Sequence, residues 1–273
     1  MSDVSFGQYY PANSFAHKLD SRFKLIFLIV YIVCIFLCKT FAGLGICAAA
    51  LLVCVLSSRV PFGKIIKSMK AIVFLLLFTA ILNVFFYTPK AGETPLWSWQ
   101  FIEIYAGGLR AAAFLIVRLF LLVMGSSLLT LTTTPVSLTD GIESLLSPLK
   151  LLKVPVHDIA LIMSIALRFI PILTDETARI MNAQKARGAD FETGGLGKRV
   201  KAIVPILIPL LISAFRRADE LGDAMDARCY AGSKTRTKYK KLRFTWRDLL
   251  GAVFMLALLA GVILLKILPL PLI

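Results

Sequence analysis

Five long apolar runs limit the fold of this chain more than any other feature of its sequence. Each run approaches or reaches the roughly 20 residues that a helix needs to cross about 30 Å of hydrocarbon. The chain of 273 residues is 58% hydrophobic, with a mean hydropathy of +0.80, which is far more apolar than a soluble domain of this length. We therefore predict an all-α polytopic membrane protein with about five transmembrane helices, at residues 25–37, 42–56, 71–87, 111–131 and 249–267.

The placement of the net charge of +15 predicts how these helices are oriented. If the amino terminus lies inside, the segments facing the cytoplasm hold most of the lysines and arginines, and the outer connections carry little beyond Lys39 and Lys90. This asymmetry satisfies the positive-inside rule and places the carboxyl terminus outside. Membrane lipid, and not nucleic acid, accounts for the excess charge. The inner basic residues near the first three spans are Lys18, Arg22, Lys24, Arg59, Lys64, Lys67 and Lys70.

The segment 132–245 departs from the pattern of spans and loops. It is too long for a loop and too charged to cross a bilayer, yet it keeps helical apolar periodicity. We predict three regions: residues 1–131 with four spans, a cytoplasmic module at 132–245, and a last transmembrane helix at 246–273. The module should begin with an amphipathic helix near Pro135, bent at Pro148. Its apolar stripe should pack on membrane helices or on a partner subunit, and consists of Ile142, Leu145, Leu146, Leu149 and Leu152.

Two long helices should follow in the module, each with an apolar first half and a charged second half. The first runs from about residue 156 to 185, and the second carries its apolar part at 203–215. Both end on the pattern Ala-x-x-Ala-Arg, with Arg187 in one and Arg228 in the other. Gly188 is a natural stop after the first helix, and two prolines should kink the second in its apolar part, namely Pro205 and Pro209.

Motifs for catalysis or for binding a metal or cofactor are not found in the sequence. The segment "GGLGKR" (194–199) lacks the spacing of a phosphate-binding loop and is interpreted as a linker. His17 and His157 are too far apart for a metalloprotease motif, and no nucleophile elbow occurs. We predict no enzymatic activity, no cofactor and no metal site, with reduced cysteines that pack as small apolar residues: Cys34, Cys38, Cys47, Cys54 and Cys229.

Several segments together resemble a known family. They are "HKLDSRFKL" (17–25), "TTTP" (132–135), "ALRFIPIL" (166–173) and the two arginine motifs. The chain resembles the transmembrane coupling subunit, or T component, of energy-coupling factor transporters, which import vitamins and transition-metal ions into bacteria. The resemblance covers nearly the whole length.

The resemblance implies a non-catalytic subunit of the bacterial cell membrane with two kinds of partner. Two ATPase subunits of the ABC type hydrolyse ATP, and a substrate-binding membrane subunit, the S component, selects the substrate. Each arginine motif would close a coupling helix and dock in a groove of one ATPase. Cys229 stands where the family usually has glycine, and it suits a positive φ less well. The residues implied as ATPase-binding are Ala186, Arg187, Gly188, Ala227, Arg228 and Cys229.

Two other interpretations of the residues stay open. A self-sufficient transporter or channel would use Arg118 and Arg168 to line a substrate path, because ionisable residues within apolar helices are costly and often functional. Structural pairing of Arg118 inside the helix bundle is an equally good interpretation. A membrane-embedded enzyme would need the acidic cluster of the second long helix as metal ligands, although a solvated helix face explains it better. That cluster is Asp219, Glu220, Asp223 and Asp226.

Overall fold

The computed structural model of the protein describes residues 9–88, 95–99, 102–189, 191, 195–230, 232 and 244–267. Eight α-helices, one 3₁₀ helix and one antiparallel pair of short strands make up this part of the chain. The predicted all-α membrane architecture is confirmed, with the small hairpin as its one departure from helix among the described residues. In chain order the elements are α1 (Ser21–Leu37), α2 (Phe41–Ser58), α3 (Phe62–Phe85), β1 (Pro95–Trp99), β2 (Ile102–Tyr105), α4 (Ala106–Thr132), α5 (Pro135–Leu145), the 3₁₀ helix (Ser147–Leu152), α6 (Val156–Ala186), α7 (Leu196–Asp226) and α8 (Trp246–Ile267).

Four helices in the described part of the chain are long and apolar enough to cross a membrane: α2, α4, α6 and α8. Helix α3 contributes a shorter apolar stretch, Ile72–Phe85, and α1 is 17 residues long. The five predicted runs therefore lie in α1, α2, α3, α4 and α8. Helix α6 is also long and apolar enough to cross a membrane, although the sequence analysis assigns it to the module, because the first half of the helix is a continuous, mainly apolar stretch.

Contacts between residues divide the chain into two compact units. One unit combines Gly7–Ser144 with Leu242–Ile273, and the other contains Leu145–Lys241. Helix α5 belongs to the first unit because it packs closely on α1. Gly141 is buried there, and a Cβ atom at this position would lie 3.0 Å from the Ser21 hydroxyl oxygen and 3.2 Å from Leu25. The module boundary predicted at residue 132 stays a prediction.

The core of the first unit lies among α1, α2, α4 and α8. Helix α1 can approach α4 closely because Gly125 has no side chain: a Cβ atom there would lie 2.7 Å from the Tyr31 ring. Three of the predicted packing cysteines are fully or nearly fully buried in this core, as the sequence analysis expects for small apolar side chains. The core residues include Tyr31, Cys34, Ile35, Cys38, Leu44, Cys47, Leu51, Val55, Leu121, Met124, Met255, Leu258 and Val262.

Two buried charged residues join helix ends within this unit. Asp248 accepts hydrogen bonds from the backbone N–H of Asp20 (2.9 Å) and of Thr245 (2.8 Å), so that one carboxylate caps the amino-terminal ends of α1 and α8. Lys24 donates to the carbonyl oxygen of Thr132 (3.0 Å) and to the hydroxyl of Thr133 (3.3 Å) at the carboxyl end of α4. Negative charge at helix amino termini and positive charge at carboxyl termini both complement the helix dipole.

The apolar stripe predicted on α5 is not the face that packs against the described part of this chain, and its packing on a partner subunit stays a prediction. Helix α5 starts as expected, since the Thr134 hydroxyl accepts a hydrogen bond from the backbone N–H of Ser137, but it ends at Leu145. Ile142 is 46% exposed, whereas Glu143 on the other side is 8% exposed. The helix turns the face with Gly141 toward α1, because only a small residue permits that approach.

Candidate functional site

The second unit contains the two long helices that the sequence analysis singles out. Helices α6 and α7 are each 31 residues long, and prolines lie inside both, at Pro171 in α6 and at Pro205 and Pro209 in α7. The predicted ends at Arg187 and Arg228 are where the helical backbone stops. We call residues 186–188 the first tip and residues 227–229 the second tip.

The first tip closes α6 with a hydrogen-bonded cap. The backbone N–H of Gly188 donates to the carbonyl of Lys185 (3.0 Å), and that of Ala189 donates to the carbonyl of Gln184 (3.0 Å). Gly188 has a φ of +86°, the left-handed conformation that a helix-stopping glycine adopts in this motif. Arg187 is therefore the last residue before the chain reverses its helical course.

The second tip repeats this cap bond for bond. The N–H of Cys229 donates to the carbonyl of Asp226 (2.9 Å), and that of Tyr230 donates to the carbonyl of Met225 (3.1 Å). Cys229 has a φ of +55° and so occupies the place that Gly188 holds in the first tip. A residue with a Cβ atom in this conformation is strained by about 1–2 kcal/mol. Arg228 stands at the same position of the cap as Arg187.

All six residues of the two tips are exposed to solvent. Among the residues that the structure describes, neither the Arg187 nor the Arg228 guanidinium has a hydrogen-bond or ion-pair partner. The cap satisfies the backbone groups around each arginine, which leaves the side chain available to an external acceptor. A guanidinium offers a planar fork of donors that suits carboxylates and carbonyl oxygens, and the alanines beside the arginines add little bulk.

An ion pair that the sequence analysis did not predict joins α6 to α7, and we call the point at which it joins them the crossing. Arg217 Nη2 of α7 donates to Glu176 Oε2 of α6 at 3.1 Å. Glu176 precedes Arg187 by eleven residues, and Arg217 precedes Arg228 by eleven residues. At a rise of 1.5 Å per residue, each tip lies about 16 Å along its helix from the crossing. The sequence did contain a signal for this pair, because Glu176 and Arg217 carry opposite charges and each lies eleven residues before the arginine that ends its helix.

Apolar side chains on the first halves of both helices are also exposed. Soluble surfaces rarely carry contiguous apolar patches of this kind, which mark contacts with lipid or with other proteins. On α6 the most exposed include Ile159, Ile162 and Met163, and on α7 they are Ile203, Val204, Leu207, Ile208, Leu211, Ile212 and Phe215.

Arg118 has a structural role inside the first unit. Its Nη2 donates to the carbonyl of Cys38 at 2.6 Å, which is the residue that ends α1, and its guanidinium lies over the Phe114 ring at 4.6 Å. This favours the structural interpretation of Arg118 over a lining of a substrate path. Arg168 is exposed on α6.

The acidic residues of α7 are exposed, and no group of three or more potential ligands that could hold a metal ion occurs in the described part of the chain.

Two of the segments behind the family resemblance meet in the first unit. Lys24 of "HKLDSRFKL" contacts Thr132 and Thr133 of "TTTP", and the His17 imidazole Nε2 lies 2.9 Å from the carbonyl of Tyr10, whose own N–H donates to Leu131. Burial lowers the pKa of His17 below its ordinary value of 6.5, and the nearby charge of Lys24 acts in the same direction.

A largely helical fold, with several apolar helices long enough to cross a membrane and two long helices that end in exposed arginines, defines the chain as an integral membrane protein. Comparison with known sequences shows which family of membrane proteins the chain belongs to. Residues 12–239 match the family described as cobalt transport protein. Over 264 residues the chain is 48% identical to the energy-coupling factor transporter transmembrane protein EcfT of Ruminiclostridium cellulolyticum, covering 97% of both chains.

Two further relatives carry the same name. The protein of Clostridium kluyveri is 48% identical over 98% of both chains, and that of Bacillus subtilis is 45% identical over 95% of this chain and 97% of its own. The chain belongs to this family and is a transmembrane component of an energy-coupling factor transporter. The predicted family resemblance is confirmed.

Proposed function

We propose that this chain couples two ABC-type ATPase subunits to a substrate-binding membrane subunit. The observation that carries the proposal is the equivalence of the two tips. Both have the same cap, an arginine with no partner among the described residues, and the same eleven-residue distance from the crossing of α6 and α7. When two straight helices touch at points equally far from their ends, those ends are related by a local twofold axis.

A twofold-related pair of tips suits a pair of ATPase subunits that are themselves related by a twofold axis. Each tip would enter a groove of one ATPase, where Arg187 or Arg228 donates to carboxylate or carbonyl oxygens and the neighbouring small residues permit close approach. When the ATPases close on ATP, the grooves and hence the two tips would move symmetrically. The chain itself then performs no hydrolysis.

The exposed apolar halves of α6 and α7 are the proposed route by which this movement reaches the substrate. We infer that the substrate-binding membrane subunit covers part of this surface and lipid covers the rest, because such a surface is unfavourable in water. Movement of the tips would shift the apolar halves and so change the position of the substrate-binding subunit. Vitamins and transition-metal ions are the proposed substrate classes.

The proposed orientation has the amino terminus in the bacterial cytoplasm and the carboxyl terminus outside. The excess of lysine and arginine in the segments assigned to the inside supports it. This orientation places both tips in the cytoplasm, where ATP is available.

The experiment that tests this function replaces the tip arginines in the full chain, co-expressed with candidate ATPases. Each of Arg187→Ala and Arg228→Ala should remove charge-assisted hydrogen bonds worth roughly 1.5–3 kcal/mol. We expect weaker ATPase copurification from the single variants, and loss of copurification and substrate uptake from the double variant. Lysine at either position should restore binding only in part, because it lacks the bidentate fork.

The matched control is Arg216→Ala, since Arg216 is also an exposed arginine of α7 but pairs with Glu220 of its own helix. This variant should copurify and transport as the wild type does. A double tip variant that retains its ATPases and its uptake would refute the proposed function. Lysine variants indistinguishable from arginine would reduce the tips to helix capping, which is worth about 0.3–1 kcal/mol.

A further inference from the structure

We propose that Glu176 and Arg217 are positioning residues that fix the register of the crossing between α6 and α7, and so keep the two tips at equal distances from it. The inference rests on the proposed function in one respect, namely that the tips bind the ATPases. It adds a role for two residues that each lie eleven positions before the tip arginine of their own helix.

The contact has the location that such a role requires. It joins residues 41 positions apart in sequence, and it is the one ion pair between α6 and α7 among the described residues. The side chains are 30% and 26% exposed, so that solvent screens them less than a charge pair at the open surface.

The physical need for such a contact follows from the nature of helix packing. Apolar contacts between helices are not directional, and ridges of one helix can settle into successive grooves of the other. A slide by one turn moves a helix by about 5.4 Å along its axis. Such a slide would separate Arg217 Nη2 from Glu176 Oε2 and change the distance from the crossing to the tip of the sliding helix, while the corresponding distance in the other helix would stay the same. The tips would then no longer be related by the local twofold axis.

A nearby ion pair of the same residue types does not share this property. Arg216 and Glu220 are 3.9 Å apart, but both belong to α7, and their side chains are 71% and 69% exposed. Breaking that pair leaves the contacts between α6 and α7 unchanged. Arg216 therefore serves as the control for its sequence neighbour Arg217.

The experiment measures the distance between the helices directly, using nitroxide labels at Asn182→Cys and Asp223→Cys in the full chain in lipid nanodiscs. These exposed positions each lie five residues before a tip arginine. Cys229→Gly and Cys54→Ala remove the accessible native thiols, whereas Cys34, Cys38 and Cys47 are at most 3% exposed and stay. Pulsed electron paramagnetic resonance then gives a distance distribution for each variant.

We expect Glu176→Gln and Arg217→Gln each to broaden the distribution at least twofold. The charge-swapped chain, Glu176→Arg with Arg217→Glu, should return it to the wild-type width, and Arg216→Gln should leave it unchanged. Unchanged widths in both single variants would overturn the inference, as would a swapped chain no narrower than the single variants. If a single variant elutes as aggregate, recovery of a monodisperse, narrow swapped chain supports the pair, and failure of recovery counts against it.

A second readout separates this inference from the proposed function. In the assembled transporter, Glu176→Gln should retain ATPase copurification but lower substrate uptake per ATP hydrolysed at least threefold, with rescue in the swapped chain. If the wild-type chain binds no ATPase while the distance results hold, the proposed function fails and the register role remains. If ATPases bind and transport proceeds with distances and uptake unaffected, the register role alone fails.

Discussion

Substitution of the residues that close the two caps, Cys229 and Gly188, tests whether the caps are equivalent in stability as well as in geometry. Cys229 has a φ of +55°, and Gly188 has a φ of +86°. The left-handed conformation destabilises a residue with a Cβ atom by about 1–2 kcal/mol. Glycine avoids this strain but loses more backbone entropy on folding, which offsets about 0.5–1 kcal/mol of the gain. Cys229→Gly should therefore stabilise the second cap by about 0.5–1 kcal/mol.

The reciprocal change, Gly188→Ala, should destabilise the first cap by about 1 kcal/mol. No atom lies within 4 Å of the position that a Cβ atom on Gly188 would occupy, so the cost is conformational and not steric. A change of about 1 kcal/mol corresponds to roughly a fivefold change in the local opening equilibrium. The two substitutions should thus shift opening of the caps in opposite directions.

The assay is hydrogen exchange of the full chain in nanodiscs, followed at the amides that make the cap bonds. Exchange at Tyr230 should slow severalfold in Cys229→Gly, and exchange at Ala189 should quicken about fivefold in Gly188→Ala. Amides near Glu176 and Arg217 serve as the internal control and should not change. Slower exchange at Ala189 in Gly188→Ala, or faster exchange at Tyr230 in Cys229→Gly, would refute the assignment of these residues to a strained position.

Two further predictions concern the membrane orientation and the amino-terminal segment. In intact cells, a single cysteine at Gly92, which lies outside the described residues, should react with a membrane-impermeant reagent, whereas one at Gly195 should not; the reverse pattern contradicts the proposed orientation. Because burial lowers the pKa of His17 below 6.5, the unfolded chain binds the proton more readily, and the stability contributed by neutral His17 is present above pH 6.5 and lost as the pH falls. The melting temperature should therefore drop between pH 7.5 and pH 5.5 by more in the wild type than in His17→Gln, and equal drops would show that His17 does not contribute.

The membrane fold and both tips were predictable from the sequence because each depends on local patterns. A long apolar run has few alternatives to a membrane helix, and the same run length predicts it wherever it occurs. The tips were visible because helix ends have their own residue preferences, and Gly188 is the preferred stop. The substitution of glycine by Cys229 was visible too, but its positive φ could be stated only once the backbone was known.

The packing faces could not be read from periodicity alone. The stripe containing Ile142 is not the face that α5 packs on α1, because Gly141 has no side chain and allows close contact with α1. Packing of the stripe on a partner subunit stays a prediction. An apolar stripe records a preference for burial but not which neighbour is available to bury it. The apolar first half of α6 is a related case, since composition alone fits both a membrane span and a helix covered by protein.

What the sequence determined by itself were the helices, their ends and the presence of two arginine motifs, because hydrophobic run length and helix capping act over a few consecutive residues. What only the tertiary structure decided were the pairings between distant residues. Arg118 finds the carbonyl of Cys38 across 80 positions, and Arg217 finds Glu176 across 41. An arginine offers the same donors to any acceptor within reach, and only the packing of the helices decides which acceptor that is.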